Sequence, residues 1–138
     1  MNEIDGIDEA QLSKLIPRFY ARVREDALIG PVFDDAIEHW DEHLQKLIDF
    51  WSSVMLTSGR YKGNPVAEHL KHLPKITPAM FDRWLGLWTE VTDELLSASS
   101  ANALQRKAIR IAESLKLALY FRLPPAPGAP YTTPVTAS

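Results

Sequence analysis

The sequence has no cysteine among its 138 residues, and this absence excludes several classes of function at once. Disulfide frameworks, thiolate zinc sites, iron–sulfur clusters and cysteine nucleophiles all require a thiol. A chain without thiols is typical of the reducing cytosol, so we expect a cytoplasmic protein.

The sequence also lacks a large excess of charge of one sign and has no long apolar run. The 15 basic and 18 acidic residues are interspersed and leave a net charge of −3, which gives no basic stripe for nucleic acid and no polybasic membrane anchor. No stretch approaches the roughly 18 apolar residues of a membrane-spanning helix. The acidic start MNEIDGIDEA is unlike a secretory signal. We therefore expect neither nucleic acid nor a membrane as a partner.

Apolar residues make up 46% of the chain, and they recur at steps of three and four. This is the period of amphipathic helices. It predicts helical segments over about residues 8–26, 37–58, 78–97 and 101–121. No segment of useful length has the period of a strand, so we expect an all-α domain over residues 1–122.

Proline, glycine and serine predict where these helices break. Pro17 lies inside the first segment, where we expect two helices meeting near Ile16. Gly30-Pro31 should end that segment, with Asp34 and Asp35 in a polar turn, and Ser99 and Ser100 should separate the last two helices. Residues 123–138 contain five prolines in sixteen positions, which predicts a disordered tail.

The histidines supply the main candidate chemistry. His69 and His72 fall in a short segment between Pro65 and Pro74, three residues apart, and both could face one metal ion. A zinc site would need a third ligand, such as His43 or Glu68, and no spacing selects either. The chain has no GxGxxG, Walker, HExxH or GxSxG motif.

A haem suits the pattern better than a bare metal ion. It needs a neutral imidazole for the iron, a broad apolar slot for the porphyrin and cations near its propionates. The sequence places a short histidine-bearing helix between two long helices rich in tryptophan and phenylalanine.

Over roughly residues 8–120 the chain resembles the group III truncated haemoglobins in an ordered series of motifs. These are Phe19-Tyr20 with Val23, Leu28 with Gly30-Pro31-Val32-Phe33, Trp40 with His43, Phe50-Trp51-Ser52-Ser53, Tyr61-Lys62-Gly63-Asn64-Pro65, His69, Leu73-Pro74 and Phe81-Asp82-Arg83-Trp84-Leu85.

The resemblance implies a shortened globin, a two-over-two helical sandwich around haem b, with His69 as the proximal iron ligand. His69 follows Tyr61 by eight residues, as the family pattern has it. The chain departs from that pattern in reading HLKHLP, one residue longer than the usual HxxLP, which makes His72 the rival ligand. We favour His69 because a turn at Pro74 absorbs an insertion more easily than a helix does.

The resemblance also assigns the opposite side of the pocket. Tyr20, His43 and Trp84 match the distal polar residues, although the position of His43 on an apolar stripe does not fix whether it points inward. Three further residues match the apolar surroundings: Phe33, Leu47 and Trp51. The candidate partners of the haem propionates are Lys46 and Arg83, for which a solvated surface role is the alternative.

The implied function is binding of dioxygen, nitric oxide and carbon monoxide, with oxygen held tightly. The alternative is a haem enzyme with peroxidase-like or nitric oxide dioxygenase activity, and a third possibility is a helical interaction module without haem. An unidentified reductase is the expected protein partner, and the expected state is a monomer or weak dimer.

Overall fold

Six α-helices and no strand are found in residues 7–71 and 75–120, the part of the chain that the computed structural model describes. The all-α prediction is therefore confirmed, whereas the predicted tail lies outside the described residues. The helices are α1 (Glu9–Glu25), α2 (Gly30–Ala36), α3 (Trp40–Leu56), α4 (Pro65–Leu70), α5 (Pro78–Leu95) and α6 (Ala98–Tyr120).

Helix α1 begins at a capping box. The Asp8 carboxylate accepts from the Gln11 backbone N–H at 2.8 Å, and the Gln11 side chain accepts from the Asp8 N–H at 3.0 Å. Two otherwise unpaired donors are satisfied in this way, which fixes the start of the helix. The apolar stripe predicted for α1 is buried: Leu12, Leu15, Ile16, Phe19, Tyr20 and Val23.

The prediction that Pro17 divides this region into two helices is wrong. Pro17 lies inside one continuous helix. The hydrogen bond that proline cannot donate would have reached the carbonyl of Ser13. Ser13 is exposed, so water can satisfy that carbonyl and the helix continues.

The predicted polar turn at Asp34 and Asp35 is also wrong, because both residues lie in the seven-residue helix α2. Pro31 stands in the first turn of α2, where its fixed φ favours a helix start. Gly30 is required before it: a Cβ there would lie 2.6 Å from the Arg24 carbonyl oxygen. The turn into α2 is held by Asp26, whose carboxylate accepts from the backbone N–H groups of residues 28 and 29.

Helix α3 starts at Trp40, three residues later than predicted, and ends at Leu56. Its C-cap Thr57 has a φ of 56° and donates back to carbonyls of the last turn. Helix α4 begins at Pro65 as predicted, with the Asn64 side chain accepting from the Ala67 N–H at 3.1 Å. The predicted end of this segment at Pro74 lies outside the described residues.

The break between the last two helices falls at residues 96 and 97 rather than at Ser99 and Ser100. Those two serines lie in the first turn of α6, and the Ser97 hydroxyl accepts from the Ser100 N–H at 3.3 Å. The serine hydroxyl thus accepts a hydrogen bond at the start of a helix here, although serine is also common in loops.

Helix α1 lies at the centre of the packing, against α2, α3 and α5, while α6 packs on α5 and α4. The rings of Trp51 in α3 and Trp88 in α5 stack at 4.5 Å with 17° between their planes. A second apolar cluster underlies α4 and includes Phe81, Leu115 and Leu119. No helix in the described part of the chain is long and apolar enough to cross a membrane.

Candidate functional site

Tyr20 is the polar centre of the space between α1, α3 and α5. It is only 3% exposed, and its ring lies 5.6 Å from that of Phe33 and 6.4 Å from that of His43, centroid to centroid. The indole Nε1–H of Trp84 donates to the Tyr20 hydroxyl across 3.3 Å. The structure therefore brings together the three predicted distal side chains, Tyr20, His43 and Trp84.

The Tyr20 hydroxyl still has a proton to donate. It accepts one bond from Trp84, and no acceptor for its own O–H is found among the described residues. A buried donor without a partner is unfavourable, and such groups are uncommon in folded proteins. The free proton makes Tyr20 the group in this pocket best suited to a polar ligand.

Burial also keeps that proton in place. Desolvation raises the pKa of Tyr20 to about 12, and the hydrogen bond from Trp84 only partly opposes this effect. The phenol therefore stays neutral and able to donate throughout the physiological pH range.

His43 is half buried on the apolar stripe of α3 and turns toward Tyr20. Burial and the nearby charge of Lys46 lower the pKa of His43, while Glu68 in α4 acts in the opposite direction. The imidazole is therefore neutral at neutral pH.

Of the predicted apolar surroundings, Phe33 and Leu47 are half buried and pack against the main core. Trp51 is only 1% exposed and stacks on Trp88, so it lies within the core itself. That stack joins the C-terminal part of α3 to α5. Nearer the N-terminus of α3, the apolar side chains are only partly covered, as expected for residues that border a slot.

His69 in α4 is held in one orientation by its own helix. Its Nδ1 lies 2.7 Å from the Pro65 carbonyl oxygen, which only accepts, so Nδ1 carries the proton. The lone pair of Nε2 is then free for a metal. The ring is half buried and lies against Phe81, with 6.2 Å between centroids and 26° between planes.

The rival ligand His72 lies outside the described residues. Within the described part of the chain, no group of three histidine or carboxylate side chains could hold a metal ion. The zinc alternative paired His69 with His72, so that site falls partly outside the described residues.

The two candidate propionate partners differ in their surroundings. The Arg83 Nε donates to the Asp26 carboxylate at 2.7 Å, and the Asp26 side chain is only 6% exposed. Arg83 thus braces α5 against the turn before α2. Lys46 is exposed and forms no ion pair with any described residue.

Comparison with known proteins decides the family. No protein-family model matches the chain. The chain is 33% identical over 122 residues to the group 3 truncated hemoglobin ctb of Campylobacter jejuni, and the alignment covers 86% of this chain and 95% of that protein. The chain belongs to the group III truncated haemoglobins. The crystal structure of a group III truncated hemoglobin from the same organism superimposes with a TM-score of 0.77 at 33% identity, over 83% of this chain and 92% of that one.

The side chains present fit the haem of a group III truncated haemoglobin. His69 has an imidazole nitrogen free for iron, and Tyr20 is a buried donor without an acceptor. Half-buried apolar side chains come from all three surrounding helices: Leu44 and Leu47 from α3, Val66 from α4 and Leu85 from α5. They are the apolar contacts that a porphyrin needs.

Three contacts near this pocket were missed in the sequence. Phe81 underlies His69, Trp40 lies beside both Tyr20 and His43, and Arg24 lies over Trp40. The spacing of three residues between Trp40 and His43 was a usable signal, since such positions share a helix face. The Arg24 contact joins two helices, and nothing in the local pattern indicates it.

Proposed function

We propose that this group III truncated haemoglobin binds haem b through His69 and holds small diatomic ligands, dioxygen above all, against the Tyr20 hydroxyl. The observation that carries the proposal is the buried Tyr20 O–H, which receives a bond from Trp84 and has no acceptor among the described residues. A ligand with partial negative charge would supply that acceptor.

On the proximal side, His69 has the features of an iron ligand. The Pro65 carbonyl holds Nδ1–H and thereby fixes the tautomer and orients Nε2. Phe81 supports the ring from the core beneath α4. Lys46 and Arg83 remain the proposed propionate partners, with Lys46 the less constrained of the two.

On the distal side, the residues act by donating hydrogen bonds. Haem, when bound, would supply an iron able to coordinate a diatomic gas. Tyr20 would donate to a ligand that carries partial negative charge, and Trp84 polarises Tyr20 by donating to its oxygen. Tyr20 is only 3% exposed, and this burial strengthens both bonds. Dioxygen, which takes up more negative charge than carbon monoxide, should gain more from these donors.

Haem titration of the purified protein tests the proximal assignment. The wild-type protein should show a Soret band and saturate with haem, and His69→Ala should lose stable ligation. His72→Ala is the matched control and should bind haem as the wild type does. If His72→Ala abolishes ligation and His69→Ala does not, the iron ligand is His72. Absence of a Soret band in the wild type would contradict haem binding altogether.

A peroxidase-like or nitric oxide dioxygenase activity is the second candidate, favoured by the neutral state of His43. Burial and Lys46 lower the pKa of this imidazole, so it is able to accept a proton from hydrogen peroxide while Tyr20 remains a donor. Turnover with a supplied reductant tests the idea. Activity no higher than that of free haemin would count against it.

We further propose a cytoplasmic protein that exchanges electrons with a reductase and is monomeric or weakly dimeric. Size-exclusion chromatography with light scattering tests the oligomeric state. Reduction of the ferric protein by a flavin reductase with a nicotinamide cofactor, monitored in the Soret region, tests the reductase.

A further inference from the structure

An arginine, an aspartate and a tryptophan from three different helices meet beside the distal pocket. The Arg24 guanidinium carbon lies 4.5 Å from the centroid of the Trp40 ring. The Arg24 Nε also donates to Asp34 Oδ1 at 3.1 Å. Arg24 lies in the last turn of α1, Asp34 in α2, and Trp40 is the first residue of α3. We name this group, Arg24, Asp34 and Trp40, the distal cap.

The distal cap lies where the buried core gives way to solvent. The Trp40 ring is 6.2 Å from that of Tyr20 and packs edge-on to His43 at 5.7 Å. On the opposite side Tyr20 contacts Phe19, which is 0% exposed. Trp40 is half buried, and the exposed Arg24 guanidinium lies over its ring. Movement of the Trp40 ring would open a path from solvent to the Tyr20 hydroxyl.

We infer that the distal cap sets the rate at which small ligands reach and leave the Tyr20 hydroxyl, with Arg24 holding Trp40 in its closed position. This inference rests on the proposed function, because it takes the Tyr20 side of the pocket as the ligand side.

Arginine suits this role because of its shape. Its planar guanidinium stacks on an indole face while an N–H at the edge bonds a carboxylate, and lysine makes no equivalent pair of contacts. The Arg24 and Asp34 side chains are 47% and 49% exposed. An ion pair so exposed is weak and is screened by salt, so the cap should open readily.

A cap of this kind has a kinetic signature. It donates no hydrogen bond to the ligand or to the Tyr20 hydroxyl, so opening it accelerates arrival and departure by the same factor and leaves the equilibrium affinity unchanged. Loss of the Tyr20 donor acts differently, since it weakens the held state and mainly accelerates departure.

Carbon monoxide binding to the ferrous, haem-loaded protein tests the inference. The association rate comes from rebinding after flash photolysis and the dissociation rate from displacement by nitric oxide. Arg24→Met should raise both rates by the same factor, roughly two- to tenfold for loss of a cation–π contact and a surface ion pair. Trp40→Leu should do the same, and Arg24→Lys should fall between Arg24→Met and the wild type.

Arg22→Met is the matched control. Arg22 is also in the last turn of α1 and forms ion pairs, with Glu94 at 2.9 Å and Glu90 at 3.5 Å, but it does not contact Trp40. Its carbon monoxide rates should equal those of the wild type. Salt supplies a second control: raising sodium chloride from about 0.05 M to about 1 M should accelerate the wild type but not Arg24→Met.

Unchanged rates in both Arg24→Met and Trp40→Leu would overturn the inference. So would a change in dissociation alone, because that would assign Arg24 to ligand stabilisation. Either result in a protein with a normal Soret band leaves the proposed function intact. Conversely, unchanged oxygen dissociation in Tyr20→Phe, together with matched acceleration in Arg24→Met, would contradict the proposed donor and support the cap.

Discussion

The Trp84 indole donates its N–H to the Tyr20 hydroxyl across 3.3 Å, rather than into the pocket. The two side chains come from α5 and α1 and are 64 positions apart in the chain. Phe19 packs edge-on against both rings, at 4.7 Å from Tyr20 and 5.6 Å from Trp84. The direction of the bond makes Tyr20 the primary donor to a ligand and Trp84 its support.

Substitution of Trp84 should therefore have an effect that depends on Tyr20. In the wild-type background, Trp84→Phe removes only the polarisation of the phenol, and oxygen dissociation should rise, but by no more than about fivefold. In a Tyr20→Phe background the indole N–H is released and can donate to the ligand itself. Trp84→Phe should then accelerate oxygen dissociation by a larger factor than it does in the wild-type background. Stopped-flow oxygen dissociation from the four proteins of this cycle measures the difference. Equal effects in the two backgrounds would show that the two side chains act independently.

His43 should make folding stability depend on pH. Its pKa is lowered in the folded protein, chiefly by burial and further by Lys46, with Glu68 opposing. The unfolded chain then binds more protons below about pH 6.5, so the free energy of unfolding should fall as pH drops through that value. His43→Phe should flatten the dependence.

Urea unfolding between about pH 5 and about pH 7.5 measures this effect. His39→Gln is the control, because His39 is exposed at the start of α3 and faces none of these groups in the described structure. If His43→Phe keeps the full pH dependence of the wild type, the titrating group lies elsewhere.

Ser52 should be worth more to stability than its size indicates. It is 0% exposed, and its hydroxyl lies 2.5 Å from a Glu9 carboxylate oxygen and 2.8 Å from the Ser58 hydroxyl. Arg60 also pairs with Glu9, so the cluster ties the start of α1 to the segment that leads into α4. Ser52→Ala should lower the free energy of unfolding by about 1–3 kcal/mol, because it removes a buried hydrogen bond to a charged carboxylate.

Chemical denaturation of the haem-free protein provides the measurement. Ser114→Ala, at an exposed position of α6, is the matched control and should change stability by less than about 0.5 kcal/mol. A loss for Ser52→Ala no larger than that of the control would show that the cluster contributes nothing to folding.

The long helices could be predicted from the sequence, because a repeat of apolar side chains reports directly on the buried face of a helix. The distal roles of Tyr20, His43 and Trp84 came only from the resemblance to the group III truncated haemoglobins. Tyr20 and Trp84 fall on such stripes, and the structure brings them into contact. The stripes do not reveal hydrogen-bond direction, which depends on how α5 is placed against α1. The unpaired proton of Tyr20 is therefore visible only in three dimensions.

The wrong predictions concern helix breaks at proline and serine, whose effect on a helix depends on solvent exposure and on neighbouring residues. Pro17 is tolerated because the carbonyl it leaves free belongs to exposed Ser13, and Pro31 starts a helix rather than following one. Ser100 lies in the first turn of α6, although pairs of serines usually indicate loops. Pairs from different helices, such as Arg24 with Trp40, have no sequence signal because each side chain is ordinary in its own helix.

Oxygen dissociation from the Tyr20→Phe variant tests the central claim most directly. A hydrogen bond to a charged acceptor is worth about 1.5–3 kcal/mol, so loss of the donor should accelerate oxygen dissociation by roughly 10- to 150-fold. Carbon monoxide dissociation should change much less, because that ligand carries less charge. An oxygen dissociation rate equal to that of the wild type, or equal acceleration of both ligands, would contradict the assignment of Tyr20 as the donor that holds oxygen.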